Sequence, residues 1–176
     1  MTRDDTIDEL TLKLADRIGG VMELWGFKRA LGRMWAVLYF SAEPMPAADL
    51  AERLAMSAGA VSMTLGELSK WGVVKKSWRP GERRDYYEPE TSIWKMVSRV
   101  LRERELVQIQ SVIETLEAAL VTLRARGKSD ALRQHVGERI ASLLTLARVG
   151  ESLLSALLDG KKIDTTPIRT FLVAEG

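Results

Sequence analysis

The sequence contains no cysteine and a single histidine, His135. The first absence excludes disulfides, thiolate metal sites and cysteine nucleophiles, and it fits a reducing compartment. A lone histidine with no cysteine beside it assembles no zinc site, and His135 sits on a polar helical stretch where exposure is expected. No stretch approaches the roughly 18 uninterrupted apolar residues of a membrane span. The opening "MTRDDTIDEL" carries acids where a secretory signal would carry positive charge and then an apolar run. A cytoplasmic protein with no membrane segment is therefore expected. Charge of one sign is lacking too: 26 Lys and Arg stand against 24 Asp and Glu, a net +2 over 176 residues. Any nucleic-acid role must rest on where the cations sit.

Catalytic constellations are equally scarce. "GKSD" and "DGKK" contain Gly-Lys but have neither the spacing of a phosphate-binding loop nor a strand before it. No serine, histidine and acid fall together as a nucleophile set. An enzyme is the disfavoured reading, and no cofactor or metal is implied.

What the sequence does have is helical periodicity. Ile7, Leu10, Leu14, Ile18, Val21, Met22 and Trp25 recur at helical spacing, with Gly19-Gly20 expected to kink or end that helix. "FKRALGRMWAVLYF", from about Phe27 to Phe40, is apolar almost all round at its C-terminal end, as a core helix is. "SAEPMP" breaks the pattern with two prolines. Two short helices follow, "AADLAERLAM" and "SAGAVSMTLGELSKWG", the second with Ser57 as N-cap and Gly72 as its left-handed stop. "VVKKSWR" and "RDYYEPE" are β-favouring runs joined across Pro80-Gly81, a two-stranded hairpin. Beyond Pro89 a long apolar stripe runs from Ile93 to Leu123. "RGKSD", with Gly127 as stop and Ser129 as new cap, separates it from a second long helix carrying Leu132, Val136, Ile140, Leu143, Leu144, Leu153, Leu154 and Leu157. Such stripes bury themselves in each other or in a second subunit. "IRTFLVAEG" is a short tail.

Helix, short helix, turn, short helix and two-stranded hairpin is the order of a winged helix-turn-helix. Leu54, Val61, Leu65 and Leu68 form its inward face, with Ala51 small where the helices cross. Gly59, Ser62, Met63, Gly66 and Lys70 fall outward. A helix presented this way can enter a major groove, its first turn (Ser57, Ala58, Gly59) offering amides to a phosphate. Ser62 and Thr64 carry hydroxyls for base edges, Met63 can touch a thymine methyl, and Lys70 lies far enough along to meet phosphate. Thr64 is close enough to the inward face to belong to the core edge instead.

Charge supports the same region. From Ser57 to Tyr87, six cations (Lys70, Lys75, Lys76, Arg79, Arg83 and Arg84) stand against three acids, a net +3 against the chain's +2. An arginine at the hairpin tip, Arg79, Arg83 or Arg84, then has the minor groove or its flanking phosphates to contact. The plain alternative is a solvated loop.

"LAERLAMSAGAVSMTLGELSKWGVVKKSWRPGERRDYYEPE" resembles the winged helix of MarR-type bacterial repressors, and within them the GbsR-like branch, whose wings show a "GV…PGERKDYF"-like run. The preceding "WGFKRALGRMWAVLYFS" resembles that branch as well, so the likeness covers roughly Gly26 to Glu90. It implies a homodimer built from N- and C-terminal helices, binding to double-stranded DNA at a palindromic operator, and release by a small effector. The best-known members of the branch govern glycine-betaine or choline metabolism. Family wings often carry an Asp-x-Arg pair, and "GERRD" reverses that order, leaving open which arginine would occupy the groove.

Five tryptophans add one more candidate site. Aromatic cages hold quaternary ammonium groups by cation–π attraction, which makes a betaine- or choline-like cation a candidate effector. Trp25 and Trp94 are the candidate residues, because each lies where a long helix meets the helix-turn-helix segment. Tryptophans at helical spacing are more often core, Trp35 above all. The expected fold is thus mainly α with a small β-hairpin wing: residues 1–25 a dimerisation helix, 26–91 the winged helix-turn-helix, and 92–176 a helical dimerisation region. The expected function is a dimeric repressor released by an effector. The rival is a winged helix that docks proteins and never meets DNA, against which the cationic hairpin argues.

Overall fold

A computed structural model describes residues 3–125 and 131–160, so the expected stop at Gly127, the cap at Ser129 and the C-terminal tail lie outside the described residues. The chain divides into two compact units between Met96 and Val97.

In the first unit, α1 (Arg3–Leu24) and α2 (Arg29–Tyr39) are joined by a turn at Gly26, whose φ is +79°. The expected interruption of α1 at Gly19-Gly20 does not occur. A Cβ on Gly32 would stand 2.9 Å from the Gly19 Cα, and one on Gly19 would stand 2.9 Å from the Arg29 carbonyl oxygen. Gly19 is there because α2 crosses at that point, and packing offsets the roughly 1 kcal/mol a helical glycine costs. Gly20, one residue on, has nothing within 4 Å of a Cβ.

The chain then forms β1 (Met45–Pro46), α3 (Ala47–Leu54), α4 (Ala58–Lys70), β2 (Val74–Ser77) and β3 (Tyr86–Pro89). β1 was not expected: the hairpin β2–β3 is accompanied by a third strand, and the antiparallel order is β1-β3-β2. Met45 pairs with Tyr87, and Pro46 with Tyr86. Pro46 is tolerated because β1 is an edge strand, and its extended backbone (φ −76°, ψ 160°) leads into α3. Two residues are too few to show strand alternation, so the prolines read as a break.

The core of this unit is the inward set expected from the sequence. Leu54, Val61, Leu65 and Leu68 are buried, together with Leu50, against Met34, Val37 and Leu38 of α2, with Ala15 from α1. The turn between α3 and α4 places Ala55 in the left-handed region at φ 52°. There its N–H donates to the Glu52 carbonyl, and Met56 N–H to that of Ala51. Ser57 caps α4, its Oγ accepting from the Ala60 N–H at 3.3 Å. Gly72 ends the region at φ +65°, and its N–H donates to Ser69.

In the second unit, α5 (Ile93–Val100) crosses the division and runs through a π-helical segment (Leu101–Leu106) into α6 (Val107–Ala125). The π segment falls where the apolar stripe jumps from Leu101 to Val107 across "RERE", and one wide turn takes up the added residue. Arg102 donates from the π segment to the Leu158 carbonyl at the end of α7 (Ala131–Leu158), at 2.8 Å. An Arg148–Glu117 ion pair at 2.6 Å and a Gln110–Glu151 hydrogen bond at 3.1 Å also join α6 to α7.

This helical pair buries little. Ile113, Leu144 and Leu158 are its buried hydrophobics, while Val121, Leu132, Leu143 and Leu146 are exposed. Ile93–Ala125 and Ala131–Leu158 are long and apolar enough to cross a membrane on length and composition, which a search for uninterrupted apolar runs does not reveal.

Candidate nucleic-acid interface

The outward face of α4 is as bare as the helical wheel suggested. Gly59, Ser62, Met63, Gly66 and Lys70 are exposed, Met63 to 74%, and a Cβ on Gly59 or Gly66 would meet nothing within 4 Å. Ser57 and Ala58 are exposed at its N-terminus. Thr64 departs from its companions: it is buried, and its hydroxyl donates to the Ala60 carbonyl at 2.7 Å. That bond satisfies the hydroxyl within the helix, so Thr64 belongs to the packed side and not to the exposed face.

The hairpin tip is a β-turn. The Glu82 N–H donates to the Arg79 carbonyl at 3.2 Å, Pro80 fills the second position, and Gly81 takes φ +85° at the third. This is type II geometry, which asks for these two residues in this order.

Most of the cations beside the turn are already engaged. The Arg79 guanidinium pairs with Glu43 and lies 4.7 Å from the centre of the Tyr86 ring. The Arg84 guanidinium lies 5.1 Å from the same ring, and its Nε donates to Glu82 at 2.9 Å and to the Tyr86 hydroxyl at 2.8 Å. Tyr86, buried, donates its own hydroxyl to Glu82. These bonds have electrostatic consequences. Hydrogen bonds from Tyr86 and then Arg84 hold the Glu82 carboxyl below the usual carboxylate value. The bond to Glu82, and then burial, push the Tyr86 phenol up.

Lys75 and Lys76 pair with Glu88 at 3.0 Å and Asp85 at 2.7 Å, and the hydrogen bonds they donate to these carboxylates raise both lysines. Glu88 and Glu90 lie just beyond the Ser57–Tyr87 window, so the positive excess counted there is diluted by acids on the same strand and immediately after it. Arg83 differs from its neighbours: it is exposed and belongs to none of the ion pairs or hydrogen bonds found among the described residues. Neither Tyr86 nor Glu43, the partner of Arg79, stands out in the sequence, and Glu82 counts there only as charge to subtract. The four-residue step from Glu82 to Tyr86 was the available signal.

Trp25 and Trp94 are 47% and 51% exposed. The ring pairs seen are Phe27 edge-on to Trp71, Trp35 stacked on Tyr39, and Tyr39 edge-on to Phe40, so neither candidate enters an aromatic pair. Trp35 packs against the core as expected, though its indole N–H finds no acceptor among the described residues. His135 is exposed, also as expected.

No protein-family model matches the chain, and no curated protein matches it. Among solved structures, a chain described as a transcriptional regulator superposes with a TM-score of 0.52 at 23% identity, covering 85% of this chain and 95% of its own. At that identity the likeness is one of fold: mainly helical, with a small three-stranded antiparallel sheet. That agrees with the expectation of a mainly α chain carrying a small β element. The finer resemblance to one family of regulators rests on the motifs quoted above.

Proposed function

We propose that the protein is a sequence-specific DNA-binding transcriptional regulator of the MarR type, in its GbsR-like branch, acting as a cytoplasmic homodimer. The observation that carries the proposal is the pairing of two features in one unit. One is a capped helix, α4, with an open outward face; the other is a type II hairpin tip with one uncommitted arginine. On this reading α4 is the recognition helix. The N–H groups of Ala58 and Gly59, which have no acceptor one turn back, meet a phosphate, while Ser62 and Met63 face base edges in the major groove. The β2–β3 hairpin is the wing, and Arg83 is the arginine that reaches the minor groove. Arg79 and Arg84 stiffen the wing through Tyr86.

Self-association is supported by α1 and α7. On α1, Ile7, Leu10, Leu14, Val21 and Leu24 are exposed at heptad spacing, opposite the buried Ala15 and Gly19. On α7, Val136, Leu143, Leu146 and Leu157 repeat the same spacing. Seams of this kind pack against a partner helix. Arg139 lies in register with the α7 seam, and placing it in lipid would cost about 2.5–3.5 kcal/mol, which favours a protein partner. Two α4 helices in a dimer would read half-sites about 34–36 Å apart on a palindromic operator. Repression with release by a small effector follows from the family resemblance.

A mobility shift with the DNA upstream of the protein's own gene tests the assignment. Binding that is lost in Arg83→Ala plus Ser62→Ala supports it. Absence of any complex at low salt favours the protein-docking alternative.

A further inference from the structure

Trp78 stands one residue beyond the last paired position of β2, where Ser77 faces Tyr86. It is 72% exposed. Its indole takes no part in the ring pairs, cation–π contacts or hydrogen bonds found among the described residues. An indole is a large apolar body with one N–H donor, and left in water it contributes nothing to the fold. The same hairpin presents Arg83, exposed and unpaired, five residues on across the type II turn. A surface that offers a bare aromatic ring together with a free cation fits an occupant that combines an apolar edge with an anion.

We propose that Trp78 is a DNA-contact residue whose indole packs on the deoxyribose edges of the duplex backbone beside the groove that Arg83 enters. This rests on the DNA-binding reading given above and adds a residue of a different kind to it. The sugar–phosphate backbone supplies the two chemistries the hairpin lacks: C–H edges for the ring and phosphate oxygens for the guanidinium and for the indole N–H. Aromatic contact of this kind is indifferent to base sequence. An indole also carries no charge, so its contact releases no counterions. Trp78 therefore contributes to affinity on every duplex, without altering the salt dependence. Arg83 contributes through charge and alters it.

The test is fluorescence anisotropy with the upstream duplex and an unrelated duplex of equal length, over a salt series. The proteins are wild type, Trp78→Ala, Trp78→Phe and Arg83→Ala. Trp78→Ala is expected to weaken both duplexes about tenfold with the slope of log K against log salt unchanged, and Trp78→Phe to restore most of the loss. Arg83→Ala is expected to reduce the slope by about one. The indole emission of wild type, after subtraction of the Trp78→Phe spectrum, is expected to shift when duplex is added. If wild type binds DNA while Trp78→Ala binds equally well and the difference emission is unmoved, Trp78 is no contact and the DNA-binding reading survives. If wild type binds no duplex, both fail. If Trp78→Ala sediments differently from wild type, the ring serves a second copy of the chain, and the proposal is overturned.

Discussion

Gly19 and Gly32 face each other where α1 crosses α2, the Cα of Gly19 2.9 Å from the point at which Gly32 would carry a Cβ. A methyl group on Gly32 would also meet the Met22 side chain at 2.8 Å and the Ile18 carbonyl at 3.0 Å. Two of those three contacts are backbone and cannot swing aside. Gly32→Ala is therefore expected to force the helices apart and to destabilise the first unit by about 1–3 kcal/mol. Gly20→Ala, on the same helix with nothing within 4 Å, is expected to stabilise by about 0.5–1 kcal/mol. Chemical denaturation of the two variants, with opposite signs, checks the crossing.

The turn that aims α4 offers a second contrast. Ala55 holds a left-handed backbone at φ 52°, which costs a residue with a Cβ roughly 1 kcal/mol and costs glycine little. Ala55→Gly is expected to be neutral or stabilising by a few tenths of a kcal/mol. Ser57→Ala removes the oxygen that accepts the Ala60 N–H and is expected to cost about 1 kcal/mol. Thermal unfolding followed by circular dichroism reads both.

The Tyr86 cluster makes a pH prediction. The Glu82 carboxyl lies below its ordinary value of 4.5, so its contribution is present above that value and lost as pH falls through the depressed one. The Tyr86 phenol lies above its ordinary 10.0, so its contribution is complete below that value and lost as pH rises through the raised one. The cluster thus holds the hairpin from about pH 5 to above 10. Ultraviolet titration is expected to show Tyr86 ionising late, and ionising earlier once Glu82→Ala removes its acceptor. An unchanged late tyrosine in that variant would place the cause elsewhere.

Self-association rests on the two exposed seams. Leu10→Glu on α1 and Leu143→Glu on α7 each put a charge at an exposed heptad position, 56% and 54% exposed respectively. Neither residue belongs to the buried core, so both variants are expected to fold. Sedimentation is expected to show a dimer for wild type and monomers for the double variant. A monomeric wild type would leave the seams to another partner.

Much of this was legible because the relevant forces are local. The cap at Ser57, the stop at Gly72, the turn at Pro80-Gly81 and the inward faces of α3 and α4 follow from residue type at a given spacing. Elsewhere the deciding contact lies far away in sequence. Gly19 read as a helix breaker because its justification is Gly32, on another helix. β1 was hidden because a two-residue strand has no period, and its partner Tyr87 is 42 positions on. Arg79, Arg83 and Arg84 were equivalent as letters. Only the fold brings Glu43 to Arg79 and Tyr86 between two guanidiniums, and so separates Arg83 from the others.

DNA binding through phosphate contacts carries a salt dependence that can be measured. The binding constant for the upstream duplex, measured by anisotropy between low and moderate salt, is expected to fall steeply, with a log–log slope of several units. Arg83→Ala is expected to flatten that slope by about one, and Glu43→Gln to leave it steep. A chain that binds no duplex at low salt, or binds with a slope near zero, would contradict the account.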